Sequence, residues 1–286
     1  MKIKALEPKD KKRVLEISSQ IWDGEDYIPF IFDNWVQDDS DFVGLWLDDK
    51  LIAFNRLCYL TEEDAWLEGL RKDQQTDIKG VTQYLLDYHL KNIKANKKIK
   101  TLRFSTYFSN HASINIHEKR DFKKILELSL LELTVLPPQP KNNYKFHNSP
   151  ENIQESIDYI LNSPFLKFSQ NIIVSSWTCY PAKEFVINNF IRNSHYLEIR
   201  RNNQILGLAI YSPGKGQNNF WISFIQAEDE DLLLFLLNEI YKHANKQKIN
   251  SLNITVPDNW YNLEKYNFSS RERKNDFWLY HLDLET

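Results

Sequence analysis

Apolar residues follow two different spacings along the first half of the chain. Helical spacing appears in residues 7–21 and 79–95, where apolar side chains recur every three or four positions. Strand spacing appears in residues 99–107 and 122–136, and two apolar runs flank Asp48-Asp49-Lys50 as they do in a β-hairpin. This mixture of short strands, a hairpin and crossing helices predicts an α/β fold of mixed α+β layers.

A proline-rich segment near the middle of the chain interrupts this pattern. Pro137, Pro138 and Pro140 are followed by Lys141 and two asparagines, a composition typical of a stiff, solvated connector. A length of 286 residues also suggests two domains. We therefore expect a first domain at 1–137, a linker at 138–150 and a second domain at 151–286.

The second half of the chain repeats short pieces of the first half in the same order. Residues 45–54 match 199–208, residues 95–97 match 244–246, and residues 118–122 match 264–268. A chance match in a chain rich in lysine and asparagine is the alternative. We interpret the matches as a tandem repeat.

Composition excludes several classes of protein. A net charge of −3 gives no basic surface for nucleic acid, and no run of about 18 apolar residues predicts a membrane span. Cys58 and Cys179 cannot form a disulfide framework, and the histidines show no metal-ligand spacing, so we expect no metal. The N-terminus lacks an apolar secretory segment, and we expect a cytoplasmic protein. The sequence carries no sign of the oligomeric state.

Two segments that follow strands carry the candidate chemistry. Residues 66–81 are typical of a strand, a turn and a helix start, and the N–H groups of a helix start suit a phosphate. An ordinary strand–helix turn is the alternative for this segment. Residues 110–122 form a second segment of the same kind, again after a strand.

Together these segments resemble the GNAT superfamily of acyl-CoA N-acyltransferases. Gln75 and Gly80 match the family pattern Gln/Arg-x-x-Gly-x-Gly/Ala, with Ile78 in place of its first glycine. The second pattern, Asn-x-x-Ala/Ser-x-x-Leu/Ile-Tyr-Glu-Lys-x-Gly-Phe, is matched by Asn110, Ser113, Ile116, Glu118, Lys119 and Phe122, while His117 replaces the tyrosine and Asp121 the glycine. A shorter resemblance, in residues 24–29, Trp35 and 68–71, is to the histidine N-acetyltransferase-like subgroup.

The resemblance implies acetyl-CoA as the acyl donor. It implies that the donor is bound by Leu70, Arg71, Lys72, Gln75, Thr76, Asp77, Ile78, Lys79, Gly80, Val81, Asn110 and Ser113. The subgroup resemblance implies a small-molecule acceptor, the α-amine of a free amino acid such as histidine.

Two residues are candidates for proton transfer. Glu68 on a strand is the expected base, because an ammonium group must lose a proton before it attacks. A solvated or salt-bridged carboxylate, paired for instance with Arg71, is the alternative. His117 stands where the family has a tyrosine and is the expected donor to the leaving thiolate, with a surface histidine as the alternative.

The acceptor site is expected to use Asp26, Tyr27, Trp35 and Arg103. Asp26 would attract an ammonium group, the aromatic rings would provide flat apolar walls, and Arg103, like Arg71, would bind a carboxylate. The alternatives are core aromatics and salt-bridge partners.

The second half lacks this equipment. Four acidic residues at 228–231 stand at its would-be phosphate position, and Leu263 takes the place of His117. We therefore expect two tandem GNAT-like domains with a degenerate C-terminal one, and an N-acetyltransferase that works by direct attack in a ternary complex. A protein or peptide N-acetyltransferase and a non-catalytic GNAT-like binding protein are the alternatives.

Overall fold

The computed structural model describes residues 1–216, 218–257, 260, 262–270 and 272–284. The chain divides into two compact units. The first comprises Met1–Ser105, His111–Lys123 and Tyr280–Thr286, and the second comprises Thr106–Asn110 and Lys124–Leu279. Within the described ranges, no helix is both long and apolar enough to cross a membrane.

The first unit contains nine regular elements before its C-terminal piece. Its strands are β1 (Lys2–Ala5), β2 (Asp41–Leu47), β3 (Lys50–Tyr59), β4 (Asp64–Lys72) and most of β5 (Thr101–Tyr107), and its helices are α1 (Lys11–Ser18), α2 (Ile28–Trp35), α3 (Val81–Ala95) and α4 (His111–Glu118). Short 3-10 turns at Pro8–Asp10 and Trp22–Gly24 precede α1 and α2.

The sheet of the first unit runs in the order β1-β2-β3-β4-β5. Neighbouring strands are antiparallel except β4 and β5, which are parallel and joined through α3. One apolar cluster joins α1 and α2 to the sheet through Ile17, Phe32 and Phe54, and a second includes Val81 and Ile52. Burial of these side chains holds the helices against the sheet.

The second unit has a similar order of elements, with one additional helix and one additional hairpin, and with a 3-10 turn where the first unit has its last helix. Its strands are β6 (Lys123–Leu133), β7 (Ile172–Ser175), β8 (Thr178–Pro181), β9 (His195–Arg201), β10 (Gln204–Pro213), β11 (Asn219–Ala227), β12 (Ser251–Val256), β13 (Ser269–Ser270) and part of β14 (Phe277–Asp283), and its helices are α5 (Ile153–Leu161), α6 (Pro164–Phe168), α7 (Glu184–Asn193) and α8 (Glu230–Lys246). A 3-10 turn covers Leu263–Tyr266. Strands β9, β10, β11, β12 and β6 pair in that order, and only β11 and β12 are parallel.

The repeat noticed in the sequence is a repeat of structure. Asp48 and Asp49, at the β2–β3 turn, have φ angles of 49° and 62°, and Asn202 and Asn203, at the β9–β10 turn, have φ angles of 50° and 62°. Such tight hairpin turns need two left-handed residues, which Asp and Asn tolerate better than most residues. The matching segments therefore carry the same turn chemistry.

The division into units differs from the domain bounds expected from the sequence. The sequence analysis ended the first domain at 137, whereas the structure places Lys124–Leu279 in the second unit and Tyr280–Thr286 in the first. Strand pairing explains the difference, because β6 pairs with β12 through Leu133 and Leu252. A proline-rich segment marks a break in the pattern of elements, but it does not reveal which strands pair across it.

Candidate active site

The parallel ladder between β4 and β5 is short. It joins residues 64–66 to residues 101–103, although β4 continues to Lys72 and β5 to Tyr107. The two strands therefore form no ladder with each other over their C-terminal parts. An extended ligand can be held at such an edge as an added strand.

A bulge in β4 lies at the same place. Phe54 pairs with Arg71 and Arg56 pairs with Glu68, so that two residues on β4, Gly69 and Leu70, lie opposite the single residue Asn55 on β3. Gly69 has a φ of 67°, a conformation that glycine adopts without steric cost. Gly69 and Leu70 therefore have no one-to-one register partner on β3.

Part of the backbone in the segment after β4 is hydrogen-bonded within that segment. The buried Asp73 carboxylate accepts a hydrogen bond from the Gln75 N–H (3.0 Å) and pairs with Arg13. Burial opposes ionisation, but these partners outweigh it and hold the pKa of Asp73 below its usual range. The Thr76 N–H donates to the Asp73 carbonyl oxygen at 3.1 Å. The N–H groups of Gln75 and Thr76 thus already have acceptors. The backbone expected to bind a phosphate is therefore reduced to residues 77–81 and the first turn of α3.

Helix α3 begins without a side-chain cap. Its N-cap is Gly80, with a φ of 77°, and the N–H groups of residues 81–83 have no acceptor within the helix. The side chain of Ile78 is half-buried and packs against the apolar cluster that contains Val43 and Leu85, while Asp77 and Lys79 are exposed. Ile78, at the pattern position where a glycine was expected, therefore has its side chain packed against this cluster. The uncapped helix start suits a phosphate.

Glu68 lies beside the bulge in a network of charges. Its carboxylate pairs with the guanidinium of Arg56, which also pairs with Asp38. Arg56 further donates from Nε to the Ser40 hydroxyl at 2.8 Å and lies over the Trp35 ring, 4.7 Å from its centroid. Glu68 is thus salt-bridged, as the alternative interpretation held, but its partner is Arg56 and not Arg71.

Arg71 instead forms a buried bidentate pair with Asp26. Its Nε and Nη2 donate to the two carboxylate oxygens at 2.9 and 2.8 Å, and Ser18 Oγ donates to Asp26 at 2.6 Å. Burial alone would lower the pKa of the Arg71 guanidinium, but the Asp26 carboxylate raises it. The Arg71 guanidinium also lies over the rings of Trp22 (4.6 Å) and Tyr27 (5.4 Å). Asp26 therefore already has an internal cation where a substrate ammonium was expected.

The other expected acceptor residues lie at different depths. Trp35 is buried, packs edge-on against Phe42, and belongs to the core. Tyr27 is half-buried next to Trp35. Arg103 pairs with Asp64 (3.2 Å) where the β4–β5 ladder is closed, so it lies away from the open end of that ladder.

His117 is buried in an aromatic stack. Its ring lies 3.7 Å from the Phe104 ring centroid, and its Nδ1 donates to the Ser113 carbonyl oxygen at 2.8 Å. Burial, with a smaller contribution from the charge of Arg120, lowers the pKa of His117 to about 4. His117 is therefore neutral at pH 7 and its Nδ1–H is already bonded, which argues against the expected role of this side chain as donor to the leaving thiolate.

The other expected donor-binding residues are Lys72, Ser113 and Asn110. Lys72 is half-buried at the end of β4, opposite Ala53. Ser113 is in α4, where its Oγ lies 3.4 Å from His117 Nδ1. Asn110 is exposed and belongs to the second unit, where its N–H donates to the Tyr107 carbonyl oxygen at 3.0 Å.

The corresponding helix start in the second unit is blocked by its own side chains. Asp229 caps α8 by accepting from the Leu232 N–H at 2.9 Å. Asp231 accepts from the N–H groups of Lys141 and Asn142 at 2.5 and 3.1 Å, and from the Tyr144 hydroxyl at 3.0 Å. In the second unit, the linker therefore covers the helix start that corresponds to the uncapped start of α3 in the first unit.

The second unit also lacks the carboxylate. Trp221 pairs with Asn253 as Trp66 pairs with Arg103, so the position of Glu68, two residues further along, is taken by Ser223. Among the described residues, no three His, Cys, Asp or Glu side chains gather as a metal site. The candidate site is therefore confined to the first unit.

Comparisons with known proteins agree with this architecture. No known family and no curated protein matches the chain. Among solved structures, it is similar to a GCN5-related N-acetyltransferase from Sphaerobacter thermophilus, at 10% identity and a TM-score of 0.72 over 100% of this chain and 96% of that one. A tandem GNAT protein from the clavulanic acid biosynthesis pathway, solved without AcCoA, matches at 10% identity and a TM-score of 0.68 over 100% and 99%.

The chain has a tandem GNAT fold. A third GNAT structure, from Kribbella flavida, matches at 11% identity and a TM-score of 0.57 over 99% of this chain and 72% of that one. The expected fold class is confirmed, and the second GNAT unit is the one with the capped helix and no carboxylate.

Sequence reasoning missed Arg56 and Asp38. Arg56 stands inside the apolar run of β3 and is only 9% exposed. A lone charge in a strand of that kind needs a partner, which is the signal that could have drawn attention to it. The partner itself could not be read from the sequence, because Glu68 is on the neighbouring strand and Asp38 follows α2.

Proposed function

We propose that the protein is an N-acetyltransferase that moves an acetyl group from acetyl-CoA to a primary amine of a small molecule in its first unit. One observation carries the proposal: the open β4–β5 end of the first unit has the Glu68 carboxylate and leads to an uncapped helix start, while in the second unit the corresponding helix is capped and a serine stands at the position of Glu68. Conservation of the fold alone would not require this difference between the units.

The residues of the first unit fit the donor. The N–H groups of residues 77–83 and the helix dipole would hold the pyrophosphate, and the inward side chain of Ile78 leaves that backbone approachable. The unladdered edge of β4 would hold the pantetheine arm. Acetyl-CoA would supply a thioester carbonyl for attack by the amine; the new C–N bond forms, the C–S bond breaks, and coenzyme A leaves as its thiolate.

Glu68 is the proposed base. It would take a proton from the bound ammonium group, directly or through a water molecule. The N–H of Leu70, which lies in the bulge, is the proposed donor to the developing oxyanion. His117 transfers no proton in this proposal, because its ring is neutral at pH 7 and its Nδ1–H donates to the Ser113 carbonyl oxygen.

The acceptor remains a small primary amine in this proposal. Only the short subgroup motif supports the α-amine of a free amino acid such as histidine as the acceptor. Arg71 and Arg103 were expected to bind the carboxylate of such an acceptor, but each has an internal carboxylate partner. A panel of free amino acids, their amides, simple amines and short peptides, each assayed for thiol release, separates these acceptors. Acetylation of peptides only would favour the protein or peptide N-acetyltransferase alternative.

Titration calorimetry with acetyl-CoA tests donor binding. We expect micromolar binding, about −8 kcal/mol. Gly80→Asp and Gly80→Asn form a matched pair, because both side chains tolerate the left-handed backbone and only aspartate repels a phosphate. Binding should be much weaker in Gly80→Asp than in Gly80→Asn. Absence of binding to the wild-type protein would refute the transferase and favour a non-catalytic binding protein.

A further inference from the structure

Arg56 is more deeply committed to its surroundings than a surface ion pair. Its guanidinium contacts Glu68 and Asp38, donates to the Ser40 hydroxyl, and is stacked on Trp35. Side-chain exposures are 11% for Arg56 and 7% for Glu68, so the pair is largely shielded from water. Four contacts of this kind leave the guanidinium one orientation.

The charges around Glu68 favour its ionised form. From β3 it is approached by Arg56 and by the Cys58 thiol, whose Sγ lies 3.9 Å from Oε1. Asp38, from the segment after α2, contacts the guanidinium and not the carboxylate, and Arg71 on β4 is neutralised by Asp26. The pKa of Arg56 is raised, because Cys58, Glu68 and Asp38 together outweigh the opposing effect of burial. A cation in contact with a shielded carboxylate stabilises the charged state.

The second unit provides an internal comparison. Cys58 pairs with Trp66 as Ser212 pairs with Trp221, and by count along the strands Ile210 takes the position of Arg56 and Ser223 that of Glu68. A bulge in the second unit makes Ile210 pair with Phe224 and leaves Ser223 without a register partner. The second unit therefore forms the corresponding strands without an ion pair at this place. The fold therefore does not require this arginine, and the arginine and the carboxylate are absent together from the unit with the capped helix.

We propose that Arg56 is a positioning residue for the base: its guanidinium holds the Glu68 carboxylate ionised and in one orientation. Asp38 is the second carboxylate in contact with that guanidinium. This inference rests on the proposed function, in which Glu68 is the base. It adds a residue that acts through Glu68 without touching the donor or the amine. The consequence is a base that stays ready to accept a proton as the pH falls.

The pH profile of acetyl transfer tests the inference. Arg56→Met keeps most of the side-chain stem but removes the charge, and Arg56→Lys restores a charge. We expect Arg56→Met to lower kcat by about 10- to 100-fold and to move the acidic limb of the profile up by about one pH unit or more. Arg56→Lys should recover part of both, and acetyl-CoA binding should change less than about twofold in either variant, a change within the spread of single-site effects.

Arg200→Met is the matched control. Arg200 is 7% exposed and pairs with Glu198 and Glu155, so its loss also breaks a buried ion pair, but in the second unit. It should lower thermal stability without moving the acidic limb. An unchanged limb in Arg56→Met, or the same shift in both variants, would overturn the proposal.

A second readout does not depend on turnover. In protein labelled with 13C at the glutamate carboxyl carbon, the Glu68 signal is identified by its loss in Glu68→Gln. We expect its titration midpoint to move up by about one pH unit or more in Arg56→Met. If the wild-type protein acetylates no amine, the proposed function fails, while this titration still decides whether Arg56 controls Glu68. Superimposable titrations would refute the inference alone.

Discussion

Gly69 is the residue on which the bulge of β4 most directly depends. Its φ of 67° costs an L-amino acid about 1–2 kcal/mol. A Cβ added there would lie 2.7 Å from Cζ3 and 3.0 Å from Cη2 of Trp35, a buried ring held by its neighbours. Overpacking of this kind costs about 1–3 kcal/mol. We therefore expect Gly69→Ala to lower the free energy of unfolding by about 2–5 kcal/mol.

Urea denaturation of three variants separates the two contributions. Gly80→Ala is the control for the backbone, because Gly80 has a φ of 77° but its added Cβ would meet only Gln83 Oε1, at 3.6 Å. It should cost about 1–2 kcal/mol. Trp35→Phe removes the two ring atoms that would clash, so Gly69→Ala should cost less in that background than alone. Equal costs for Gly69→Ala and Gly80→Ala, or no coupling to Trp35, would refute the steric argument.

Three further predictions concern buried charges and caps. Asp26→Asn should cost about 3–5 kcal/mol, because it leaves the Arg71 guanidinium buried without its counter-charge, and thermal denaturation measures this. The pKa of His117 is lowered from 6.5 to about 4, so the unfolded chain binds more protons between these values; stability should fall by about 3 kcal/mol as the pH drops from about 6.5 to 4, and denaturation at several pH values should show this component missing in His117→Phe. Asp231→Ala removes the acceptor of two linker N–H groups, so hydrogen exchange should become faster at residues 141–142 and stay unchanged in α3.

Local patterns predicted most elements of the first unit. Periodicity indicated helices over residues 7–21 and 79–95, where the structure has α1 and α3, and the Asp48-Asp49 turn signal indicated the β2–β3 hairpin. These features depend on residues close in sequence, and the side chains that determine them are visible in a short window. The repeat was detectable for the same reason, since both units use the same turn residues.

The candidate site was predictable only in part. Glu68 and Gly80 could be picked out by motif, and both lie at the open end of the first unit's sheet. The charge partners could not be predicted, because Glu68 pairs with Arg56 on the neighbouring strand and Arg71 pairs with Asp26, 45 residues away in sequence. Which carboxylate pairs with which arginine depends on strand register, which no short stretch of sequence contains.

The sequence by itself determined the kinds of element, their order and their repetition, since each follows from propensity and spacing along a few residues. Tertiary structure decided the protonation of His117, the packing of the Ile78 side chain against the apolar cluster and the ion pair of Asp26 with Arg71. It also decided which strands belong to which unit. Burial and charge contact arise only when distant segments meet, and they set whether a titratable side chain is free to act on a substrate.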